Sequence, residues 1–151
     1  MIKNLIKIIN SKMLSHQSII TLQKDLENYN DKDWKTFKSS FYLPNISNQK
    51  TYYKNIIHQN ELYELVLIKW DKDAETIIHP HPKNGCLLKL LEGKLKEERY
   101  INNKIYQTHE LKLDSVGYMH DSLGTHKITA LEDSFSLHLY SPPNFYSKKD
   151  T

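Results

Sequence analysis

Beyond residue 60, the chain consists of short apolar segments separated by turn-forming residues, and this pattern restricts the fold more than any other feature. The segments are rich in Val, Ile, Leu and Tyr, and they lie at about 61–70, 75–79, 86–91, 95–100, 104–111, 115–118, 125–131 and 134–140. Pairs such as Glu92-Gly93, Asn102-Asn103 and Glu132-Asp133 mark turns between them. Because no helical pattern intervenes, the segments favour an antiparallel sandwich or barrel over a parallel sheet.

The first part of the chain has a different periodicity. Apolar residues recur at the i, i+3, i+4, i+7 spacing of one helical face in two runs: Ile2, Leu5, Ile6 and Ile9, then Ile19, Leu22, Leu26 and Tyr29. Residues 31–40 form a third candidate helix, with Asp33 as its N-cap and Trp34 and Phe37 on one side. We therefore expect one domain over 1–151, with a helical segment at 1–43 and an all-β body at 44–151.

Composition excludes several classes of protein. The mean hydropathy is −0.66, and no apolar run approaches the roughly 20 residues that span a bilayer. The first residues lack the continuous apolar core of a signal peptide, and a single cysteine, Cys86, cannot form an internal disulfide. The net charge of +3 is spread over interleaved basic and acidic side chains, so neither nucleic acid nor a membrane is an expected partner. We expect a cytoplasmic monomer.

The stretch IHPHPKNGCLLKLLEG holds the densest set of chemically active side chains. His79 and His81 stand two residues apart, so on a strand both rings would lie on one face and could chelate one metal ion. His126 follows a glycine turn at Gly124 and is a candidate third ligand from a neighbouring strand. On spacing alone, two exposed or hydrogen-bonded histidines are the simpler interpretation of the pair.

The segment SFSLHLY alternates strictly between polar and apolar residues. Ser136, His138 and Tyr140 share one face of the predicted strand, while Leu137 and Leu139 share the other. If the leucines pack against another layer, the polar row faces a cavity. The histidines outside these motifs are expected on the surface: His16, His58, His109 and His120.

Three stretches carry a resemblance to a known family: HPHPKNGCLLKLLEGKLKE, DSLGTHKI and SLHLYSPP. They resemble the cysteine dioxygenases, which are thiol dioxygenases of the cupin superfamily. The first cupin pattern is matched at every spacing by His79, His81, Cys86 and Gly93, with cysteine where most cupins have Glu. The second cupin motif is matched more loosely, because Ala130 stands where the pattern has Asn.

The resemblance implies a cupin jelly-roll barrel that holds Fe(II) through His79, His81 and His126. It also implies that a small thiol reacts with O2 to give a sulfinic acid, so that L-cysteine becomes cysteine sulfinate. Three neutral imidazoles leave the two positive charges of the metal uncompensated, and a thiolate substrate can supply the missing negative charge.

Roles for further side chains follow from the same resemblance. Cys86 and Tyr140 would form a thioether crosslink beside the iron. His138 would hydrogen-bond Tyr140, and Ser136 would lie behind His138. Positions that line or border the substrate pocket in the family are matched by Tyr52 and Trp70.

Lys54 departs from the family pattern, because cysteine dioxygenases have at this position the arginine that clamps the substrate carboxylate. Lysine keeps the charge but offers a flexible point donor instead of a planar fork. Other thiols are therefore alternatives: 3-mercaptopropionate, cysteamine or the N-terminal cysteine of a peptide. A cupin sensor that binds metal and ligand without catalysis is a further alternative. Family members continue well beyond the position of Pro143, whereas this sequence ends at Thr151, so one pocket wall is expected to be absent or supplied by a partner chain.

Overall fold

A computed structural model describes residues 1–40 and 51–144. In these residues the helical elements come first: α1 (Ile2–Leu14), a 3-10 helix (Ile19–Leu22), α2 (Gln23–Asn28) and a second 3-10 helix (Asp33–Ser40). Eight strands follow: β1 (Tyr52–Gln59), β2 (Glu64–Trp70), β3 (Cys86–Glu92), β4 (Leu95–Ile101), β5 (Lys104–Glu110), β6 (Val116–Met119), β7 (Thr125–Ala130) and β8 (Ser134–Tyr140). A short 3-10 turn at Asp121–Leu123 joins β6 to β7.

The strands form two antiparallel sheets, as the pattern of short segments predicts. One sheet has the order β1-β2-β8-β3-β6, and the other has the order β5-β4-β7. Several neighbours, such as β2 and β8, are far apart in sequence, which is typical of a jelly roll rather than a simple meander. Across the described residues the ladder does not close, so the predicted barrel consists of two facing sheets.

The five-stranded sheet is buried on both faces. Leu137 and Leu139 of β8 are fully buried in a core that they share with α1, α2 and the 3-10 helices. The opposite face of β8 carries Ser136, His138 and Tyr140 toward the interior between the sheets, where Tyr140 packs in a second core. The helical segment thus covers the leucine face, and the predicted polar row lines the interior.

Two turns hold the small sheet in position. Asn102 and Asn103 have φ of 51° and 64° in the β4–β5 hairpin, the left-handed conformation that favours asparagine in a two-residue turn. Gly124 has φ of 98°, and a Cβ there would overlap the carbonyl oxygen of Tyr100. Only glycine allows this close approach, which lies directly before β7 and two residues before His126.

Two segments of the sheet differ from the expectation based on sequence. The predicted segments omit β1, because polar residues interrupt its apolar alternation, yet β1 pairs with β2 along its length. Residues 75–79 make only isolated bridges, between Glu75 and Thr129 and between His79 and His126. The following residues, Pro80 and Pro82, lack the backbone N–H that a regular ladder requires.

The N-terminal segment is helical as predicted, with local differences. The first helix continues to Leu14. The second 3-10 helix begins at Asp33, whose carboxylate accepts hydrogen bonds from the Tyr29 hydroxyl at 2.6 Å and the Ile2 backbone N–H at 2.8 Å. The predicted boundary at 43/44 and the two ends of the predicted β body, 44–50 and 145–151, lie outside the described residues. No helix in the described residues is long and apolar enough to span a membrane.

Candidate metal centre and active-site pocket

Three histidine rings meet between the two sheets. His126 lies on β7, and His79 and His81 lie on the extended segment that precedes β3. Two backbone hydrogen bonds, of 3.0 and 3.2 Å, join His79 to His126. The ring centroid of His126 is 4.5 Å from that of His79 and 4.4 Å from that of His81. The fold therefore brings the three predicted ligands together, with the HxH pair on an irregular extended segment rather than on a regular strand.

Hydrogen-bond partners define which nitrogens of two of these rings carry hydrogen. His79 Nδ1 is 2.8 Å from the carbonyl oxygen of Ile77, which can only accept. His126 Nδ1 is 2.8 Å from Oε2 of Glu97. If both rings are neutral, both Nδ1 atoms are donors and each Nε2 atom carries a lone pair. The two Nε2 atoms face each other at 3.0 Å. Two lone pairs at this separation repel unless a cation lies beside both.

His81 adds a third lone pair. The residue is 1% exposed, and neither of its ring nitrogens has a hydrogen-bond partner among the described residues. Its Nδ1 approaches Asp121 Oδ1 to 3.3 Å, but that carboxylate oxygen instead accepts from the His81 backbone N–H at 2.7 Å. Burial, with the nearby charges of His126 and His79, lowers the pKa of His81 to about 2. The ring is therefore neutral, and it is a buried polar group that lacks a partner.

These features fit a metal ion. A cation beside the facing Nε2 atoms of His79 and His126 would remove their repulsion, and it would give a partner to a His81 nitrogen. Among the residues that the structure describes, no group of three or more His, Cys, Asp or Glu side chains is already converged as a ligand set. Binding would therefore require the three rings to move into ligand geometry.

A small pocket opens beside the histidines. The space available to the centres of water-sized molecules is about 30 Å³, which suits a ligand of a few heavy atoms because one water needs about 10–15 Å³ by this measure. The pocket contains the predicted substrate residues and most of the predicted catalytic set; its lining is Tyr52, Lys54, Ile68, Trp70, Thr76, Ile77, His79, Cys86, His126, Ile128, His138 and Tyr140.

A chain of hydrogen bonds runs along the polar face of β8. The Trp70 indole N–H donates to Ser136 Oγ at 2.8 Å, and Ser136 Oγ is 2.6 Å from His138 Nε2. Because the serine hydroxyl hydrogen needs an acceptor, it donates to Nε2, and the neutral His138 ring then donates from Nδ1 to the Tyr140 hydroxyl at 3.0 Å. Burial, with the charge of Lys54, holds the pKa of His138 well below its ordinary value, so the ring is neutral.

Cys86 and Tyr140 lie directly opposite each other on β3 and β8. Cys86 is a free cysteine that is 4% exposed. Burial, with the charge of Glu97, raises the pKa of its thiol to about 12, so the side chain is a neutral thiol at neutral pH. Side chains that face each other in an antiparallel pair are in contact range, which is the relation that a crosslink between these two residues needs.

The comparison with known families agrees with this site. A model of the family described as cysteine dioxygenase type I matches residues 1–149. The chain belongs to the cysteine dioxygenase type I family.

Curated relatives of this cysteine dioxygenase family member carry the name cysteine dioxygenase type 1. The Danio rerio protein is 29% identical over 155 aligned positions, which cover 95% of this chain and 73% of the relative. The Homo sapiens protein is 33% identical over 106 positions, which cover 63% of this chain and 53% of the relative. The chain thus spans about half the length of the human relative.

Solved structures support the cupin fold of this family member. KdgF from Halomonas sp. superposes with a TM-score of 0.56 at 18% identity, covering 71% of this chain and 93% of that protein. An RmlC-like cupin from Shewanella frigidimarina gives 0.54 at 16% identity, with coverages of 72% and 90%. At these identities the likeness concerns the fold alone.

One carboxylate that touches the histidine cluster of this cysteine dioxygenase family member lies outside every motif recognised in the sequence. Glu97 on β4 is 4% exposed and contacts His126, Arg99 and His109. A buried acidic residue at an inward position of a predicted strand is the signal that points to it. His109, which was expected on the surface, is about one-third exposed, and its Nε2 lies 3.3 Å from Glu97 Oε1.

Proposed function

We propose that this protein is an iron-dependent thiol dioxygenase that converts L-cysteine, or a closely related small thiol, to the corresponding sulfinic acid. In this reaction one thiol and one O2 give one sulfinic acid, and both oxygen atoms end on sulfur. The observation that carries the proposal is the convergence of three histidines beside a small pocket that also contains Cys86, Tyr140 and Lys54. Membership of the cysteine dioxygenase type I family supports it.

The residues that would hold Fe(II) are His79, His81 and His126. Bound iron would supply a site where a thiolate and O2 meet and exchange electrons. The chain's part is to present a free ring nitrogen from each imidazole, since a doubly protonated ring cannot be a ligand. Burial keeps His81 neutral, and the carbonyl of Ile77 and the carboxylate of Glu97 accept hydrogen bonds from Nδ1 of the other two rings, which leaves Nε2 as the nitrogen that would bind.

We assign substrate binding to Lys54, Tyr52 and Trp70, which line the same pocket. Lys54 brings an ammonium group to the pocket lining, and the rings of Tyr52 and Trp70 pack with centroids 4.9 Å apart. An ammonium group in a small, mostly apolar pocket favours a thiol that carries a carboxylate. Cysteine and 3-mercaptopropionate carry such a carboxylate, whereas cysteamine does not.

The hydrogen bonds of β8 orient the phenol of Tyr140 toward the reacting groups. Ser136 fixes the His138 tautomer, and His138 then donates to the Tyr140 oxygen. A donor at this oxygen stabilises any negative charge that develops there. The pairing of Cys86 with Tyr140 across β3 and β8 supports a thioether crosslink, whose formation removes two hydrogen atoms and uses O2 as the oxidant.

Oxygen consumption tests the proposed function. The purified full chain, loaded with Fe(II), should consume O2 with L-cysteine or 3-mercaptopropionate and form one sulfinate, detected by mass spectrometry, for each O2 used. Metal-free protein is the control and should consume none. Absence of oxygen consumption with L-cysteine, 3-mercaptopropionate and cysteamine would overturn the proposal.

Electrophoresis separates the enzyme from a metal- and ligand-binding sensor. After turnover, a denaturing gel should contain a faster-migrating crosslinked band that is absent in Cys86→Ser. Thiol binding to the metal-loaded protein without oxygen uptake and without this band would favour the sensor. The expected cytoplasmic location and monomeric state remain predictions.

A further inference from the structure

Glu97 is not one of the three clustered histidines, but its carboxylate contacts one of them, His126. We propose that Glu97 is a positioning residue that orients His126 toward the metal and adds negative charge to a site whose three ligands are histidines. This inference rests on the proposed metal site. Neither cupin motif contains Glu97, and it lies on β4, in the sheet opposite β3 and β8.

The register of the small sheet brings the carboxylate to His126. On β4 and β7, Arg99 is directly opposite His126, and Glu97 is opposite Ile128. Glu97 is therefore the diagonal neighbour of His126, within reach of a long side chain. Its Oε2 lies 2.8 Å from His126 Nδ1. This bond requires hydrogen on Nδ1, so it leaves Nε2 as the ligand atom and restricts the rotation of the ring.

The other carboxylate oxygen of Glu97 is held separately. Arg99 Nε donates to Oε1 at 2.8 Å, and a terminal guanidinium nitrogen of Arg99 donates to the carbonyl oxygen of Tyr118 at 3.0 Å. Tyr118 lies on β6 in the larger sheet, so Arg99 ties Glu97 to both sheets. Arg99 is the only arginine of the chain, and its planar fork makes contacts in two directions that a lysine cannot reproduce.

A purely structural ion pair with Arg99 would not need the contact to His126. Oε1 of Glu97 accepts from the guanidinium of Arg99 at 2.8 Å, and Oε2 lies 2.8 Å from His126 Nδ1, so both oxygens have donors that favour the ionised carboxylate. The carboxylate is therefore ionised. An ionised carboxylate bonded to a metal-bound imidazole makes that imidazole a stronger donor and offsets part of the metal charge.

Metal affinity tests this role without relying on catalysis. Fe(II) under anaerobic conditions, or Co(II), is titrated into the metal-free full chain in competition with a chromophoric chelator. Glu97→Leu, which removes both charge and acceptor, should weaken binding about 10- to 100-fold. Glu97→Gln, which keeps an acceptor oxygen and loses the charge, should fall between Glu97→Leu and wild type.

Glu98→Gln is the matched control, because the neighbouring side chain points to the other face of the same strand, where it pairs with Lys96 and Tyr100. It should bind metal like wild type. Heteronuclear NMR of the imidazoles in metal-free protein gives a second readout: the Nδ1–H tautomer of His126 should dominate in wild type and lose its dominance in Glu97→Leu.

The outcomes separate this inference from the proposed function. If wild type binds metal and folded Glu97→Gln and Glu97→Leu bind it equally well, the inference is overturned and the metal site stands. If wild type binds neither Fe(II) nor Co(II), the metal site and the inference both fall. Should Glu97→Leu fail to fold, the isosteric Glu97→Gln decides the outcome, and an affinity equal to that of wild type would overturn the role of the charge.

Discussion

At the scale of single residues, Lys54 is the residue that bears most directly on which thiol is the substrate. It lines the pocket together with Tyr52 and Trp70, as the resemblance implied, and it is close enough to His138 for its charge to act on that ring. An ammonium group can orient a carboxylate only as a point charge, whereas a guanidinium binds it through two parallel hydrogen bonds. The type of cation at residue 54 should therefore set how strongly the carboxylate of a thiol contributes to its binding.

Lys54→Arg should raise kcat/KM for L-cysteine and 3-mercaptopropionate about tenfold, the worth of one further hydrogen bond between charged groups. Cysteamine, which has no carboxylate, should gain nothing. The measurement is steady-state oxygen uptake with each thiol. Lys69→Arg is the control, because Lys69 on β2 is opposite Tyr53 and is not part of the pocket lining; it should leave all three values unchanged. Equal gains for cysteamine and cysteine would contradict carboxylate binding at residue 54.

At the scale of elements, β3 and β8 each turn one face toward the pocket and the other toward the helical segment. Cys86 faces the pocket, and three residues later Lys89 faces the helical segment, where it is fully buried. The Lys89 ammonium donates to the carbonyl oxygens of Leu26 at 2.7 Å and Glu27 at 3.2 Å, and also to that of Tyr29. These carbonyls lie at the C-terminal end of α2 and just after it, where most carbonyls lack a partner within the helix; that of Leu26 also accepts from the Tyr29 backbone N–H at 3.2 Å. One buried lysine thus attaches the helical segment to the strand that carries Cys86.

Lys89→Met should lower the free energy of unfolding by about 2–4 kcal/mol, because it removes the only donor that these buried carbonyls share. Chemical denaturation of the metal-free protein measures the change. Lys94→Met, at the exposed start of β4, should change it by no more than about 0.5 kcal/mol. A stability of Lys89→Met equal to that of wild type would show that the helical segment does not depend on this contact.

At the scale of the whole molecule, the buried polar row makes stability depend on pH. His138 is 4% exposed, and its pKa in the folded protein lies well below the ordinary value of about 6.5, mainly because of burial. Below pH 6.5 the unfolded chain takes up a proton at this residue and the folded chain does not. The stability linked to neutral His138 is therefore complete above that pH and decreases as the pH falls.

This linkage predicts that metal-free wild type loses stability between pH 6.5 and 5 with a slope that includes up to about 1.4 kcal/mol per pH unit from His138. His138→Gln, which cannot titrate, should show a shallower slope by that amount, even if it is less stable overall. Urea unfolding at a series of pH values measures both slopes. Above pH 7.5 the two slopes should coincide, and equal slopes in the acid range would exclude the proposed linkage.

Local pattern decided much of what could be predicted. The alternation of SFSLHLY assigned both faces of β8, since a strand has a period of two and the leucine face must be buried. The asparagine pair and Gly124 predicted turns, because few residues adopt positive φ without strain. The strand expected at 75–79 was wrong, since the two prolines after it cannot donate to a ladder, and β1 was missed because polar residues interrupt its alternation.

The sequence by itself determined the class of fold, the helical start, the inward row of β8 and, through its resemblance to a family, the three histidines and the Cys86–Tyr140 pair. Only the tertiary structure decided which other side chains contact the histidines and the strands that carry Cys86 and Tyr140. Glu97 reaches His126 through the register of β4 and β7, and Lys89 reaches the end of α2 through the packing of two layers. Such contacts join residues tens of positions apart, and no local period or spacing encodes them.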